Sequence, residues 1–562
     1  MGFHAEQKPI SKLLNDCVLA IPRNQRHYVW KEENWKDLLT DVFFIVDNKN
    51  DKNHFIGSIV LKEEEPINKL EKFTIIDGQQ RTITIILFLS AIMKLFQDYG
   101  MDKDFYGTIP YLISKDRKDE EYCILYTEDH VFIQELVMKI VKYENKNSIN
   151  ELIKISSINK RKENNIIKAI LYFYNELKKK CESVQEPNNY LISVRDALID
   201  TNCVKIIADT EEDSYTIFEI LNARGQVLAD HELVKNYIMR YILPKNAVDT
   251  VKKKWEAIED LLGTSINRFF KHYTTHKTQV TSKEAIYRIL QKIYPKNEAS
   301  NLMDDIMLKS KYYHAIISPE KRGSDANCSE IEYKVFHFFK EKRAEQFRPI
   351  LLSLMSKKEE GLLSIEKYEK VLEFLYAFFI CYNIVGEEKS NKLEDVIYKY
   401  APMLENNFNN ENLETFINSI KNKIPSLKIF GERLQTLGWS NHNKFYNDKK
   451  NKDRVRIVLE LVEKHLSGRI NFEDLSLEHV LPDSQDSENA LIGNIILLED
   501  NINQNCKNKA FKDKLDFYKK SNYKMAREFA NRYENDDFVP QKRARFLAKM
   551  IYDDILHLNQ IE

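Results

Sequence analysis

Residues 73–89 read FTIIDGQQRTITIILFL. The first five, Phe73–Asp77, belong to a short β-rich run, and from Thr82 to Phe96 the apolar residues continue for about four turns without a breaker, the pattern of a buried helix. Between them lies Asp77-Gly78-Gln79-Gln80-Arg81-Thr82. A core needs neither two glutamines nor an arginine at such a joint, so the stretch is read as a strand, a glycine turn and a helix start with a chemical task.

That task is anion binding. The first N–H groups of a helix have no intrahelical acceptor, and the helix dipole favours negative charge there. Gly78 permits an unusual backbone angle, Arg81 adds a fixed positive fork and Thr82 a hydroxyl. Gln79 and Gln80 can hydrogen-bond phosphate oxygens or hold a water. The competing reading is a solvated turn, and the six residues alone do not decide between them.

Neighbouring segments carry the same chemistry. HFIGSIVL (54–61) and KFTIID (72–77) are expected as neighbouring strands joined by a charged, proline-containing connection. IPRNQRHYVW (21–30) sets Arg23, Gln25 and Arg26 before Tyr28 and Trp30. FEILNARGQVLADHELVKN (218–236) sets Asn222, Arg224 and Gly225 between two predicted helices, with Asp230 as the expected N-cap of the second. The motifs I-P-x-x-Q-R-x-Y-x-W, F-I-G-S-I-V-L, D-G-Q-Q-R-T and F-E-I-L-N-x-R-G, in that order, resemble the ParB/sulfiredoxin-like NTPase domain of GmrSD-like type IV restriction proteins. The resemblance implies GTP or ATP binding and hydrolysis around Asp77, Gly78, Gln79, Gln80, Arg81 and Thr82, with Gln25, Arg26, Asn222 and Arg224 as neighbours. Gln79 would orient the attacking water and Arg81 would stabilise the developing charge. The chain has no G-x-x-x-x-G-K-[ST], so it is not a P-loop enzyme.

A chain of 562 residues is too long for one core, so several domains are expected. Lys+Arg (85) and Asp+Glu (86) cancel, and the overall charge therefore names no partner. Seven scattered cysteines without C-x-x-C spacing point to reduced thiols and a cytoplasmic location. The opening MGFHAEQKPISKLL has no apolar signal core. The apolar run near Val371–Val385, interrupted by Glu373, is too short for a bilayer and is read as a buried helix. Residues 245–460 read as helix throughout, with KKKWEAIED and MSKKEEG as solvated faces. HEL (231–233) lacks the second histidine of a zinc-protease motif.

The last hundred residues change character. LSLEHVLP and ALIGNIILLE are predicted as short strands, and a helix is predicted from about Asn503 to Ser521. Glu478-His479 ends the first strand and Gly493-Asn494 opens the second; Lys509, Phe511, Lys514, Tyr518 and Ser521 follow at mostly helical spacing. The pattern E-H-x-x-P…G-N-x-x-L-L…N…F-x-x-K…Y-x-x-S resembles the HNH (ββα-metal) nuclease domain that ends GmrSD-like proteins. The resemblance maps that site onto His479, Asn494 and Asn503: His479 as base toward water, Glu478 and Asn503 as ligands of one Mg²⁺ or Mn²⁺, and Asn494 as holder of the loop and imidazole. Between Lys507 and Lys549 there are 13 Lys and Arg against 6 Asp and Glu, a local excess that suits a phosphate backbone.

The chain is thus expected to be α+β and predominantly helical. A ParB/sulfiredoxin-like α/β domain (1–243) with a helical insertion would precede a helical middle (244–455) and an HNH domain (456–562). The expected function is an NTP-regulated, modification-dependent DNA endonuclease against phage, cytoplasmic and independent of membranes, with a homodimer as one route to double-strand cutting. Two alternatives stay open: a nucleotide-switched DNA-binding protein with an inert nuclease site, and a toxin-like nuclease indifferent to modification.

Overall fold

The computed structural model describes residues 3–22, 25, 27–48, 55–127, 131–142, 148–155, 164–208, 229–242, 249–279, 285–320, 327–469, 472, 474–506 and 509–558. Two compact units make up the chain, Met1–Leu243 and Pro244–Glu562.

In the first unit, the described strands are β1 (Phe3–Pro9), β2 (Cys17–Ile21), β3 (Phe55–Ile67), β4 (Leu70–Asp77), β5 (Ile113–Lys115), β6 (Glu121–Cys123), β7 (Leu125–Thr127) and β8 (Asn202–Ala208). Six of them form a mixed sheet in the order β1-β8-β3-β4-β2-β7, while β5 and β6 pair separately. The two expected strands are antiparallel neighbours, with Val60 opposite Asp77 and Leu61 opposite Ile75. Their connection differs from the reading. Glu63–Pro66 continue β3, and the chain reverses at Asn68-Lys69, where φ is 46° and 74°. Positive φ at both central residues matches the twist of a hairpin. The charges that read as a loop are tolerated because this end of the hairpin is largely exposed.

The helix after β4 runs Gln79–Asp98, so the glutamines and Arg81 lie inside its first turn rather than before it. Apart from Arg81, every residue from Gln79 to Phe96 is buried. A helix apolar all round is a core helix. Phe88 stacks on Phe173 of the Asn164–Glu182 helix at 4.4 Å. The helix beginning at Asp230 is capped one residue earlier than expected: Ala229 is the N-cap, and its N–H donates to the Glu232 carboxylate at 3.2 Å.

The described part of the second unit is helical up to Ser467. The run Val371–Val385 is indeed buried, as the Ile365–Phe379 helix and a π-turn, Ile380–Val385. Within this helical part Glu405 sits among Lys277 and Lys309, at 2.9 and 3.3 Å. The C-terminal part holds β9 (Leu475–His479) and β10 (Ile495–Glu499), antiparallel, with His479 opposite Ile495 and Glu478 opposite Ile496. The second strand is shorter than predicted, because 487–494 make 3₁₀ turns. The predicted helix from Asn503 is two helices, Asp500–Cys506 and Phe511–Tyr518, which puts Asn503 inside the first. Lys524–Arg532 and Pro540–Met550 follow. No described helix is long and apolar enough to cross a membrane. All seven cysteines are free, and burial raises their pKa values, to about 11 for Cys123 and Cys506.

Candidate nucleotide and nuclease sites

The joint at Gly78 is built for glycine. Its φ is 96°, and a β-carbon there would lie 2.9 Å from Ile59 Cγ1 on the neighbouring strand. Gly78 offers no side-chain cap to the helix N-terminus that follows. Arg81 is half-buried: it donates to the Ser58 carbonyl at 2.9 Å, and its guanidinium crosses Gly57, whose φ of 102° also suits glycine. The F-I-G-S motif thus cradles the arginine of D-G-Q-Q-R.

Two residues placed in this site do other work. Gln80 is buried; its Oε1 accepts the Val29 N–H at 2.8 Å and its Nε2 donates to the His27 carbonyl at 3.2 Å. It staples the 27–30 segment to the helix. Thr82 is fully buried and its hydroxyl donates back to the Gly78 carbonyl at 3.1 Å. Neither expectation of phosphate contact is met by these atoms as they stand. Gln25 ties in through Ile76, donating to its carbonyl at 3.0 Å, which brings the I-P-x-x-Q segment beside the end of β4. Gln79 is buried in the first turn and Asp77 ends β4. Arg26, Asn222 and Arg224 lie outside the described residues.

In the second unit, His479 ends β9 and is half-buried. Its Nε2 lies 2.7 Å from the Trp439 carbonyl, and its ring stacks on the Trp439 indole at 5.2 Å. A carbonyl can only accept, so Nε2 carries the proton and Nδ1 is the basic nitrogen of the neutral ring. Burial lowers the His479 pKa below 6.5, which keeps the ring neutral at pH 7. The Trp439 segment is pinned by a bridge to the 490–492 turn: Trp439 N–H donates to Ala490 O (2.8 Å) and Ile492 N–H to Leu437 O (2.7 Å).

Glu478 points the other way from His479, as strand alternation requires. Its Oε1 accepts from the Lys514 ammonium at 2.7 Å and from the Tyr518 hydroxyl at 3.1 Å. Lys514 also donates to the His479 carbonyl at 2.9 Å. Asn503 donates to Ser476 Oγ (2.9 Å) and Leu477 O (3.3 Å). Asn494 is fully buried. Its Oδ1 accepts the Leu481 N–H at 2.9 Å, while its Nδ2 donates to Leu481 O (2.8 Å) and Asn489 O (2.7 Å). It clasps the loop that follows His479.

Residues 10–239 match the family model for the N-terminal domain of GmrSD restriction endonuclease, and residues 439–550 match the one for its C-terminal domain. The chain belongs to the GmrSD restriction endonuclease family. No curated protein matches the chain. Membership makes it a restriction nuclease with DNA as substrate. The C-terminal GmrSD match begins at Trp439, the residue whose carbonyl fixes His479.

Several residues around His479 and the turn before β10 were not named by sequence reasoning. Trp439 is one, because 40 residues separate it from His479. Asp483 is another: Ser440 donates to it at 2.6 Å, His442 lies 3.8 Å away, and it acts on the His479 imidazole more strongly than Glu478 does. Burial opposes ionisation of Asp483, yet the Ser440 hydrogen bond helps hold its pKa below the usual value. The H-x-x-P spacing offered a faint signal, since Asp483 directly follows that proline. Arg543, buried, donates to the carbonyls of Gly493 (2.9 Å) and Ile495 (2.8 Å) and shapes the turn before β10.

A divalent ion tests the donor set. Glu478 is 7 % exposed, and its Oε1 is already shared by an ammonium and a phenol. Such a carboxylate is a counter-ion for Lys514, and the expected Glu478–Asn503 ligand pair does not fit a metal as these side chains stand. Among the described residues no group of three His, Cys, Asp or Glu is placed to hold one.

Proposed function

We propose that this GmrSD-family chain is a nucleotide-regulated, modification-dependent DNA endonuclease of the type IV class, directed at phage DNA. The observation that carries the nuclease chemistry is His479, held with Nε2–H on a carbonyl and neutral by burial. In this reading Nδ1 takes the proton from a water, the water oxygen attacks the scissile phosphorus, and the P–O bond opposite breaks. Asn494 keeps the loop after His479 in place, and Lys514 holds the strand carbonyl. Dependence on Mg²⁺ or Mn²⁺ is proposed from the HNH resemblance, not from Glu478.

The first unit is proposed to bind and hydrolyse GTP or ATP. The helix N-terminus after Gly78 and the cradled guanidinium of Arg81 support this reading, because both favour a phosphate. Gln79 would position the water. Arg26, Asn222 and Arg224 are proposed to complete the pocket. With one His479 per chain, double-strand cutting would need a homodimer or successive nicks.

The test is cleavage of modified phage DNA and of unmodified plasmid, with and without GTP or ATP, by the wild type and by Arg81→Ala. Selective cutting of the modified DNA, with a nucleotide effect that vanishes in Arg81→Ala, is expected. Equal cutting of both DNAs would favour the toxin-like alternative, and a nucleotide effect intact in Arg81→Ala would remove Arg81 from the site.

A further inference from the structure

Two adjoining clefts flank the Lys449–Ser467 helix, away from the residues that hold His479. One, of about 440 Å³, has aromatic walls from Tyr333, Phe338, Tyr376 and Phe472. The other, of about 670 Å³, is lined by Lys342, Lys449, Lys450 and Arg454 with Glu387 and Asp453. Lys342 and Asp453 line both, so the two are neighbours.

The ends differ chemically. In the aromatic cleft Phe338 meets Tyr376 edge-on at 4.6 Å, and the Lys334 ammonium lies 5.3 Å from the Tyr376 ring and 5.6 Å from that of Phe472. Glu460 and Arg456 stand 3.7 Å apart beside them, a carboxyl and a guanidinium able to hydrogen-bond a base edge. At the other end the acids are engaged: Glu387 pairs with Arg454 at 2.6 Å and Asp453 with Arg456 at 3.5 Å. Lys449 and Lys450, both exposed, extend the positive charge past these pairs.

One helix joins this cleft to the cutting site. Lys452 lies 4.6 Å over the Trp439 ring, which stacks on His479. Glu460 follows on the same helix ~12 Å along its axis. The Lys449–Ser467 helix thus lines both clefts and, through Lys452, also reaches the Trp439 ring that stacks on His479.

We propose that the two neighbouring clefts receive an unpaired DNA nucleotide, its base against the aromatic walls that include Tyr333 and its backbone phosphates along Lys449 and Lys450. Aromatic stacking with a basic track is how single-stranded nucleic acid is held, and a base taken out of its duplex can be inspected for modification. A lone anion would use one end and leave the other idle. The inference rests on the nuclease reading above.

The test uses full-length His479→Ala protein and a short single strand carrying 2-aminopurine, whose fluorescence falls when it stacks. Binding with quenching is expected. Adding Tyr333→Ala should abolish the quenching and weaken binding about tenfold. Adding Lys449→Ala with Lys450→Ala, both at exposed positions, should leave the quenching at saturation and reduce the salt slope by about 1.4. Unchanged quenching and affinity in the Tyr333→Ala protein, or an unchanged salt slope in the lysine pair, would overturn the proposal. Plasmid nicking by the wild type, run in parallel, separates the two readings: nicking without quenching sinks the cleft alone, while quenching without nicking keeps the cleft and sinks the nuclease.

Discussion

The ammonium of Lys514 lies 2.7 Å from the Glu478 carboxylate, and both side chains are almost wholly buried beside the strand that carries His479. Removing one partner of such a pair leaves a buried charge uncompensated, at a cost of about 3–5 kcal/mol. Lys514→Met should therefore destabilise the second unit strongly. Adding Glu478→Gln should recover much of the loss, because the residual amide can still accept from Tyr518. Chemical unfolding of the two variants checks this, and equal stability of Lys514→Met and wild type would remove the pair from the structural core.

The pH profile of cleavage should report His479. Burial lowers its pKa below 6.5, and the base works only when neutral. The rate should therefore hold from pH 8 into the neutral range, with the midpoint of its acid limb below 6.5, as protons fill Nδ1. The sign for stability is the same: the unfolded histidine binds protons first, so its contribution is present above pH 6.5 and declines as the pH drops. An acid limb with its midpoint above pH 6.5 would contradict the burial.

Gln80 and Arg81 are adjacent and should behave differently. Gln80→Ala removes the buried side chain that holds the Val29 N–H and the His27 carbonyl, at about 1 kcal/mol for each hydrogen bond lost, so the first unit should melt earlier. Arg81→Ala should leave stability nearly unchanged and weaken nucleotide binding. Thermal unfolding beside nucleotide titration separates the two, and an Arg81→Ala protein that binds nucleotide normally would refute its phosphate role.

Gly493 stands where a β-carbon would come within 2.1 Å of the Pro540 carbonyl. Gly493→Ala should push the Pro540–Met550 helix away, disturb the Arg543 contacts and lose DNA cleavage together with stability. An active, stable Gly493→Ala would mean that this packing is looser than the structure has it.

Much of this was legible in the sequence. Strands β3, β4 and β9 and the core helix followed from apolar runs, and the Gly78 joint from the D-G-Q-Q-R-T stretch. What escaped was long-range. The Lys514, Tyr518 and Ser521 spacing could be read, but not that the first two grip Glu478 while Ser521 donates to Glu499 at 2.6 Å. The HNH resemblance made Glu478 a metal ligand, and its burial against Lys514 left no hydropathy signal to say otherwise. Trp439 read as one more aromatic in a helical region, because long-range ties such as the Gly438–Leu491 bridge bring it to His479. The Asn68-Lys69 reversal was hidden by the charges around it, which belong to an exposed hairpin end.

The most direct measurement is nicking of supercoiled DNA in Mg²⁺ by wild type and by His479→Ala, with circular dichroism to establish that both are folded. Nicking by the wild type that vanishes in the folded variant, and in the wild type when EDTA removes the metal, is the predicted result. Equal nicking by both proteins would show that His479 is not the base, and the chemistry would then have to be sought elsewhere in the chain.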